Sequence, residues 1–175
     1  MKEDRQDLTT GSIWGKMLFF SIPLMLTNLF QVLFNMADIA VIGQFAGSLS
    51  LGAVGSTATL VTLFTGVLIG MAGGINVLVA RYFGAKDKKS TVQTIHTALL
   101  VSLGTGVIVL AFGMLFSRWI LEVMNTKEEL LEGAVLYIRI YFLGMPALAL
   151  YNFGNAVCSA FGDTKKPLYY LSAAG

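Results

Sequence analysis

Long apolar stretches alternate with short polar ones along the whole chain, and this pattern predicts membrane-spanning helices. Four stretches each exceed the roughly 20 residues that a helix needs to cross a bilayer. They cover approximately residues 15–43, 53–80, 92–116 and 134–161. A fifth apolar helix begins after residue 162, and the sequence ends inside it. Because a terminus within hydrocarbon leaves backbone groups unpaired, we expect the sequence to be a fragment of a longer protein.

The composition predicts the same class of protein. Of the 175 residues, 55% are hydrophobic and only 13% are charged, which is too little polar surface for a soluble domain. We therefore predict an all-α integral membrane protein with four transmembrane helices and the start of a fifth. A net charge of +2 does not indicate a nucleic-acid partner. The single cysteine, Cys158, excludes an intramolecular disulfide, and the single histidine, His96, lies on another predicted helix, so no metal site is expected.

The polar connections predict how the chain is oriented. Two of them are basic: RYFGAKDKKS follows the second apolar stretch, and GDTKKP follows the fourth. Positively charged loops remain on the cytoplasmic side of a membrane, so the N-terminus is predicted to be cytoplasmic. The predicted organisation is a cytoplasmic segment at 1–14, transmembrane helices at 15–161, and a cytoplasmic loop with the start of helix five at 162–175. The uncharged segment 43–55 is then a linker, and the acidic segment 117–132 forms short amphipathic turns on the far surface.

One face of the first helix carries polar side chains. At about 100° per residue, four of them fall within about 80° of one another: Asn28, Gln31, Asn35 and Asp38. Asp38 is the only acidic residue between Asp7 and Asp87. A carboxylate inside a membrane helix costs roughly 2.5–3.5 kcal/mol on insertion scales, so it usually faces a cavity or a partner. This polar stripe predicts one wall of a water-accessible pathway; the alternative is a carboxylate near the helix end that is bonded to a neighbouring helix.

Two other predicted helices also carry polar residues that could line a cavity, and a proline predicts a bend in the first helix. Asn152, Asn155 and Ser159 share a face at i, i+3 and i+7, and we expect them to line the cavity that Asp38 faces. Asn76 needs a hydrogen-bond partner if it is buried, which is either a helix backbone or a substrate. Pro23 predicts a bend in the first helix, because proline lacks the N–H and clashes with the preceding turn. Both a static kink and a moving bend are compatible with this residue.

Three stretches together have a distinctive order: Pro23 through Asn28 and Gln31 to NMAD at Asp38, then VARYFGAKDKKS, then SAFGDTKKPLYY. In combination they resemble the multidrug and toxic compound extrusion (MATE) family of cation-coupled antiporters, over essentially the whole chain. The resemblance implies the N-terminal portion of a twelve-helix inner-membrane transporter, within a six-helix N-lobe. Such a transporter exchanges small organic cations for H+ or Na+, is driven by the ion gradient and uses no cofactor. Helices five to twelve lie largely outside this sequence.

The resemblance also implies roles for individual residues. Asp38 matches an acidic residue that serves as the cation-coupling site. Pro23 matches a proline whose bend is proposed to respond to protonation. Polar positions that line the substrate cavity of the N-lobe are matched by Gln31, Asn152 and Asn155, and we assign Asn28 and Asn35 of the same face to this cavity.

Other functions remain open at this stage. A related lipid or polysaccharide flippase shares the helix layout, but it typically uses charged cavities for anionic headgroups. One acid and several amides, without a stripe of arginines, favour a cationic or neutral cargo. A truncated membrane protein that inserts or binds a partner without transporting anything is the other alternative. An enzyme is not expected, because the sequence contains no Ser–His–Asp set, metal-ligand cluster or phosphate-binding loop.

Overall fold

The fold is a helical membrane bundle, as the hydrophobic pattern predicts. The computed structural model describes residues 13–45 and 47–174. This part of the chain forms six helices: α1 (Ile13–Phe45), α2 (Gly47–Gly84), α3 (Lys88–Val123), α4 (Glu128–Leu143), α5 (Met145–Ala160) and α6 (Lys165–Ala174). Ser21–Phe45 of α1, Leu49–Gly84 of α2 and all of α3 are long and apolar enough to cross a membrane. The bent pair of α4 and α5 is together long and apolar enough to make a fourth span.

The fourth predicted helix is divided into two, with a bend of 45° between α4 and α5. Gly144 separates them, and its N–H donates to the carbonyl of Tyr141 at 3.0 Å. Pro146 follows in the first turn of α5, where a missing N–H is tolerated. The fourth predicted span is thus a bent pair of helices rather than a single helix, because proline cannot donate the hydrogen bond that would continue α4 into α5.

The connections are shorter than the sequence predicts. The segment 43–55 is not a linker: α1 continues to Phe45 and α2 begins at Gly47. The acidic segment 117–132 is also mostly helical, and only residues 124–127 separate α3 from α4. Arg118 stabilises this region by pairing with Glu122 at 3.0 Å and with Glu132 at 2.9 Å. Leu121 is fully buried there, so this part of α3 packs into the bundle rather than lying on its surface.

The packed core lies between α2, α3, α4 and α5. One apolar cluster includes Leu68, Leu121, Ile138 and Met145, and Phe142 meets Phe64 edge-on within it, with ring centroids 5.0 Å apart. A second cluster, nearer the other end of the bundle, joins α2 and α3 to α5 and includes Ala72, Ile75, Val79, Ala98 and Ala156. Together the two clusters hold four helices in a fixed arrangement.

The first helix is packed far less closely than the others. It contacts α2 and α6, and only 6% of its most apolar window is buried, against 22% for α2 and for α3. Pro23 and Thr27 are the only buried residues among those whose side chains are described in α1. The polar stripe predicted on this helix therefore lies on an element that touches the bundle at few points.

Candidate functional site

A cavity of about 290 Å³ lies between α1, α2 and α5. Leu24 of α1 and Ile69 of α2 contribute apolar surface to it. Four polar residues also line the cavity: Asn76 from α2, and Asn152, Asn155 and Ser159 from α5. No Asp, Glu, Lys, Arg or His is among the lining residues. The site therefore offers neutral hydrogen-bonding groups in an apolar bundle.

Hydrogen bonds fix how two of the asparagine amides are oriented. The Nδ2 of Asn76 donates to the carbonyl of Ala156 at 2.9 Å, and the Nδ2 of Asn152 donates to the carbonyl of Leu148 at 3.0 Å. Because a carbonyl only accepts, the amide nitrogen must face it, and the Oδ1 atom of each asparagine remains an acceptor. Neither oxygen has a donor within the described residues. Two acceptors are thus available at the cavity for a ligand that donates.

Asn155 differs from Asn76 and Asn152 because it keeps an unused hydrogen-bond donor. The hydroxyl of Ser159 lies 3.4 Å from its Oδ1 and donates to it, one turn further along α5. Its Nδ2 group has no acceptor among the described residues and keeps its capacity to donate. The i, i+3, i+7 spacing thus places Asn152, Asn155 and Ser159 on one wall, and Asn76 joins them through its bond to the α5 backbone.

The four residues of the polar stripe are exposed and do not line this cavity: Asn28, Gln31, Asn35 and Asp38. Leu24 is the residue by which α1 reaches the cavity. At about 100° per residue, Leu24 lies in the middle of the face that the stripe occupies. The stripe therefore continues the cavity-facing side of α1 toward the end of the helix that carries Asp38. The structure does not bring these residues and the α5 amides into one enclosed site.

Asp38 stands apart from the polar contacts of the bundle. Its carboxylate is exposed, and it makes no hydrogen bond or ion pair with the residues that the structure describes. Its charge acts on the half-buried Tyr137, whose ring stacks on Tyr141 with centroids 6.4 Å apart. The hydroxyl of Tyr141 is in turn 3.3 Å from that of Thr65 on α2.

Pro23 lies inside α1, which runs as one helix from Ile13 to Phe45. The Thr27 hydroxyl donates to the Pro23 carbonyl at 2.8 Å, within the same helix. Threonine hydroxyls bonded in this way often bend helices slightly. Both residues are buried, so this is the point at which α1 is held against the bundle. A functional bend at Pro23 remains a prediction.

Comparison with known proteins identifies the group to which this arrangement belongs. Residues 23–174 match the family model MatE. A probable multidrug resistance protein of Bacillus subtilis strain 168, YpnP, is 30% identical over 168 residues, which are 96% of this chain and 38% of that protein. A FAD transporter of Shewanella oneidensis is 24% identical over 172 residues, which are 98% of this chain and 38% of that protein.

A solved structure gives the same result for the fold. A crystal structure of MATE in the bent conformation superimposes with a TM-score of 0.82 at 26% identity, over 89% of this chain and 34% of that one. The chain thus spans little more than a third of the length of the curated relatives it matches. The family resemblance predicted from three sequence stretches is confirmed: the chain belongs to the MatE family.

Proposed function

We propose that this chain is part of a secondary active transporter that exports organic cations across the cell membrane in exchange for H+ or Na+. In this proposal the N-terminus is cytoplasmic, and the cavity between α1, α2 and α5 receives the substrate. The observation that carries the proposal is the lining of the cavity, which presents amide oxygens and no cationic side chain. The multidrug resistance protein named above, at 30% identity, supports the same class of function.

The cavity suits the chemistry of lipophilic cations. Its volume of about 290 Å³ is close to the lower end of the range of drug-sized sites, about 300–1,000 Å³. Leu24, Ile69 and Ala72 provide apolar contact for the body of such a molecule. The free Oδ1 atoms of Asn76 and Asn152 accept hydrogen bonds from a protonated amine. The cavity therefore recognises both parts of an amphipathic cation.

Asp38 is the coupling residue in this mechanism. It is the only carboxylate of α1 and α2, and it lies on the cavity-facing side of α1. Because Asp38 is about 21 Å along the helix from Leu24 at 1.5 Å per residue, a cation bound at Asp38 acts on the substrate in the cavity through a change of conformation. Binding of either ligand then weakens binding of the other, and the effect is reciprocal. Exchange across the membrane then requires a conformational change that carries the occupied site from one side to the other, and we assign the bend at Pro23 to that change.

Replacing the coupling carboxylate tests the proposal. We expect Asp38→Asn to abolish gradient-driven efflux, because the amide cannot exchange a proton or balance the charge of a cation. The measurement is the extrusion of ethidium from cells that express the protein, with the amount in the membrane determined by immunoblot. The matched control is Asp87→Asn, which neutralises a carboxylate in the α2–α3 loop. Undiminished efflux by Asp38→Asn at equal expression would contradict the assignment.

An anionic cargo is the second candidate, and one relative favours it. The Shewanella oneidensis protein is named as a FAD transporter, and FAD carries phosphate groups. A cavity for such a molecule needs cationic side chains, which the lining residues do not include. We therefore expect the cells described above to release no more FAD than cells without the protein. Release of FAD that depends on Asn152 would favour this second function.

A further inference from the structure

One end of the bundle concentrates positive charge on two connecting segments. We call this surface the basic end; its cationic side chains are Arg81, Lys86, Lys88, Lys89, Lys165 and Lys166. The segments are adjacent in space, because Phe83 at the end of α2 meets Phe161 at the end of α5 edge-on, with centroids 4.8 Å apart. Two loops that are far apart in sequence thus form one surface.

The carboxylates of the basic end are already engaged in local contacts. Asp87 caps α3, accepting from the Ser90 N–H at 3.1 Å and from the Ser90 hydroxyl at 2.6 Å. Asp163 pairs with Lys166 at 2.9 Å. Arg81, Lys86, Lys88 and Lys89 are exposed and form no ion pair within the part of the chain that the structure describes. Much of the charge of this surface is therefore not neutralised by the protein.

The helices that begin at the basic end increase its positive potential. Lys88 and Lys89 stand in the first turn of α3, and Lys165 and Lys166 in the first turn of α6. The N-terminus of a helix already carries a partial positive charge, so lysines there are unfavourable on their own and become favourable when an anion binds. Asp87, the N-cap of α3, offsets part of this potential, and neither helix has an acidic residue within its first turn.

The backbone at Lys86 has a conformation that lysine adopts only at an energetic cost. Three helices end in the same way, with a residue of positive φ whose successor donates to a carbonyl five residues earlier: Lys86 after α2, Asn125 after α3 and Gly162 after α5. Glycine and asparagine are the residues that adopt this conformation readily. Lysine does not, and Lys86 has φ 58°. A strained lysine at this turn is explained if its charge contacts a ligand.

The surroundings indicate where this ligand lies. Phe83, Tyr169 and Tyr170 are exposed large side chains close in sequence to the cations. Aromatic side chains flanking apolar spans occupy the headgroup level of a membrane. The basic end is therefore at the depth where phospholipid phosphates are found, and clusters of four or more cations next to a membrane helix attract anionic lipids.

We propose that the basic end binds the headgroups of anionic phospholipids, with the lipid phosphate contacted by Lys86, Lys88 and Lys89. This site is separate from the amide-lined cavity and does not depend on what the protein transports. Bound lipid would compensate for the lysines at the start of α3 and for the strain at Lys86, and would hold the α2–α3 and α5–α6 connections together.

The test uses the purified protein in neutral detergent, with thermal unfolding followed by fluorescence. Phosphatidylglycerol is compared with phosphatidylcholine and with soluble glycerol phosphate at equal concentration. We expect only phosphatidylglycerol to raise the melting temperature. If phosphatidylcholine raises the melting temperature equally, the site has no preference for anionic headgroups and the proposal fails. If glycerol phosphate raises it equally, the ligand is a soluble anion rather than a lipid, and the proposal also fails.

Substitutions of the lysines test whether the basic end is the place where the lipid binds. In the triple variant Lys86→Gln, Lys88→Gln and Lys89→Gln, the phosphatidylglycerol concentration that gives half of the stabilisation should rise by about fivefold per lost charge. The control Lys127→Gln, in the loop at the opposite end, should respond like the wild type. An unchanged response of the triple variant would overturn the proposal.

Lys86→Gly provides a variant that does not risk unfolding. It relieves the positive φ, so the melting temperature without lipid should rise, while the response to phosphatidylglycerol should weaken. Asn125→Gly is the matched control at the equivalent turn of α3, and its response to lipid should equal that of the wild type. If both glycine variants keep the full response, Lys86 is not part of the site and the proposal fails.

Discussion

The contact between α3 and α4 depends on the absence of one side chain. A Cβ atom at Gly113 would overlap the ring of Phe142, which is itself 1% exposed and in contact with Phe64. The ring cannot move aside without disturbing the first apolar cluster. We expect Gly113→Ala to lower the free energy of unfolding by about 1–3 kcal/mol, through overpacking. Thermal or denaturant unfolding of the purified protein measures this loss.

A second glycine of the same helix provides the control. Gly104 is exposed, and a methyl group placed on its Cα would have no neighbouring atom within 4 Å. Alanine there should leave stability unchanged or raise it by up to about 1 kcal/mol, because alanine is the better helix former. If the two variants have equal stability, the close approach of Phe142 to Gly113 is not a determinant of the fold.

At the scale of the helix, the start of α3 depends on a carboxylate whose ionisation is tied to folding. The Ser90 hydroxyl, and then the Ser90 N–H, hold the pKa of Asp87 below its ordinary 3.8. A carboxyl group with a lowered pKa in the folded state stabilises the fold above its unfolded pKa, and this stabilisation is lost as the pH falls through the folded value. We expect Ser90→Ala to lower the melting temperature at pH 6, with the difference from wild type shrinking below about pH 4.

Ser56 provides a control for the loss of a serine hydroxyl that does not contact a carboxylate. Ser56 donates to the carbonyl of Ala53 at 2.7 Å, a contact that involves no titrating group. The destabilisation caused by Ser56→Ala should therefore be independent of pH. A difference between Ser90→Ala and wild type that stays constant from pH 6 to pH 3 would show that Asp87 does not contribute in this way.

The helices themselves were predictable because apolar length is a direct physical requirement of a bilayer, but their ends and breaks were not. The acidic segment 117–132 is predicted as short amphipathic turns on the surface, yet Leu121 is fully buried and Arg118 pairs within and between helices there. The break at Gly144 depends on Pro146, and a proline in an apolar run does not by itself distinguish a kink from a new helix. Pro23, by comparison, lies within one continuous helix.

The sequence predicts the cavity-lining residues of α5, but it predicts those of the other helices only in part. Helical periodicity places Asn152, Asn155 and Ser159 on one face, and the structure places all three at one cavity. Periodicity does not reveal which helix faces these residues. The hydrogen bond from Asn76 to the α5 backbone could therefore not be predicted from the sequence. For the same reason, the sequence places Asp38 on the face of α1 that includes Leu24, but it does not show that Asp38 itself stays outside the cavity lining.

At the scale of the molecule, α1 is packed less closely than the helices of the core. Opening α3 would disrupt both apolar clusters, whereas α1 has only Pro23 and Thr27 buried among its described side chains. We therefore expect the amides of α1 to exchange hydrogen faster than those of α3 in the detergent-solubilised protein, measured by mass spectrometry. The helices have similar lengths, 33 and 36 residues, so length does not explain a difference.

This prediction bears on the proposed transport. Since α1 carries Asp38 and is anchored at Pro23, a bend at the anchor would move the carboxylate relative to α2 and α5 while their core stays packed. Equal exchange in α1 and α3 would mean that α1 is held as firmly as the core, and the movement assigned to it would then require the whole bundle to rearrange. Faster exchange in α1 would mean that Asp38, the proposed coupling residue, lies on a helix that is less costly to displace than α3.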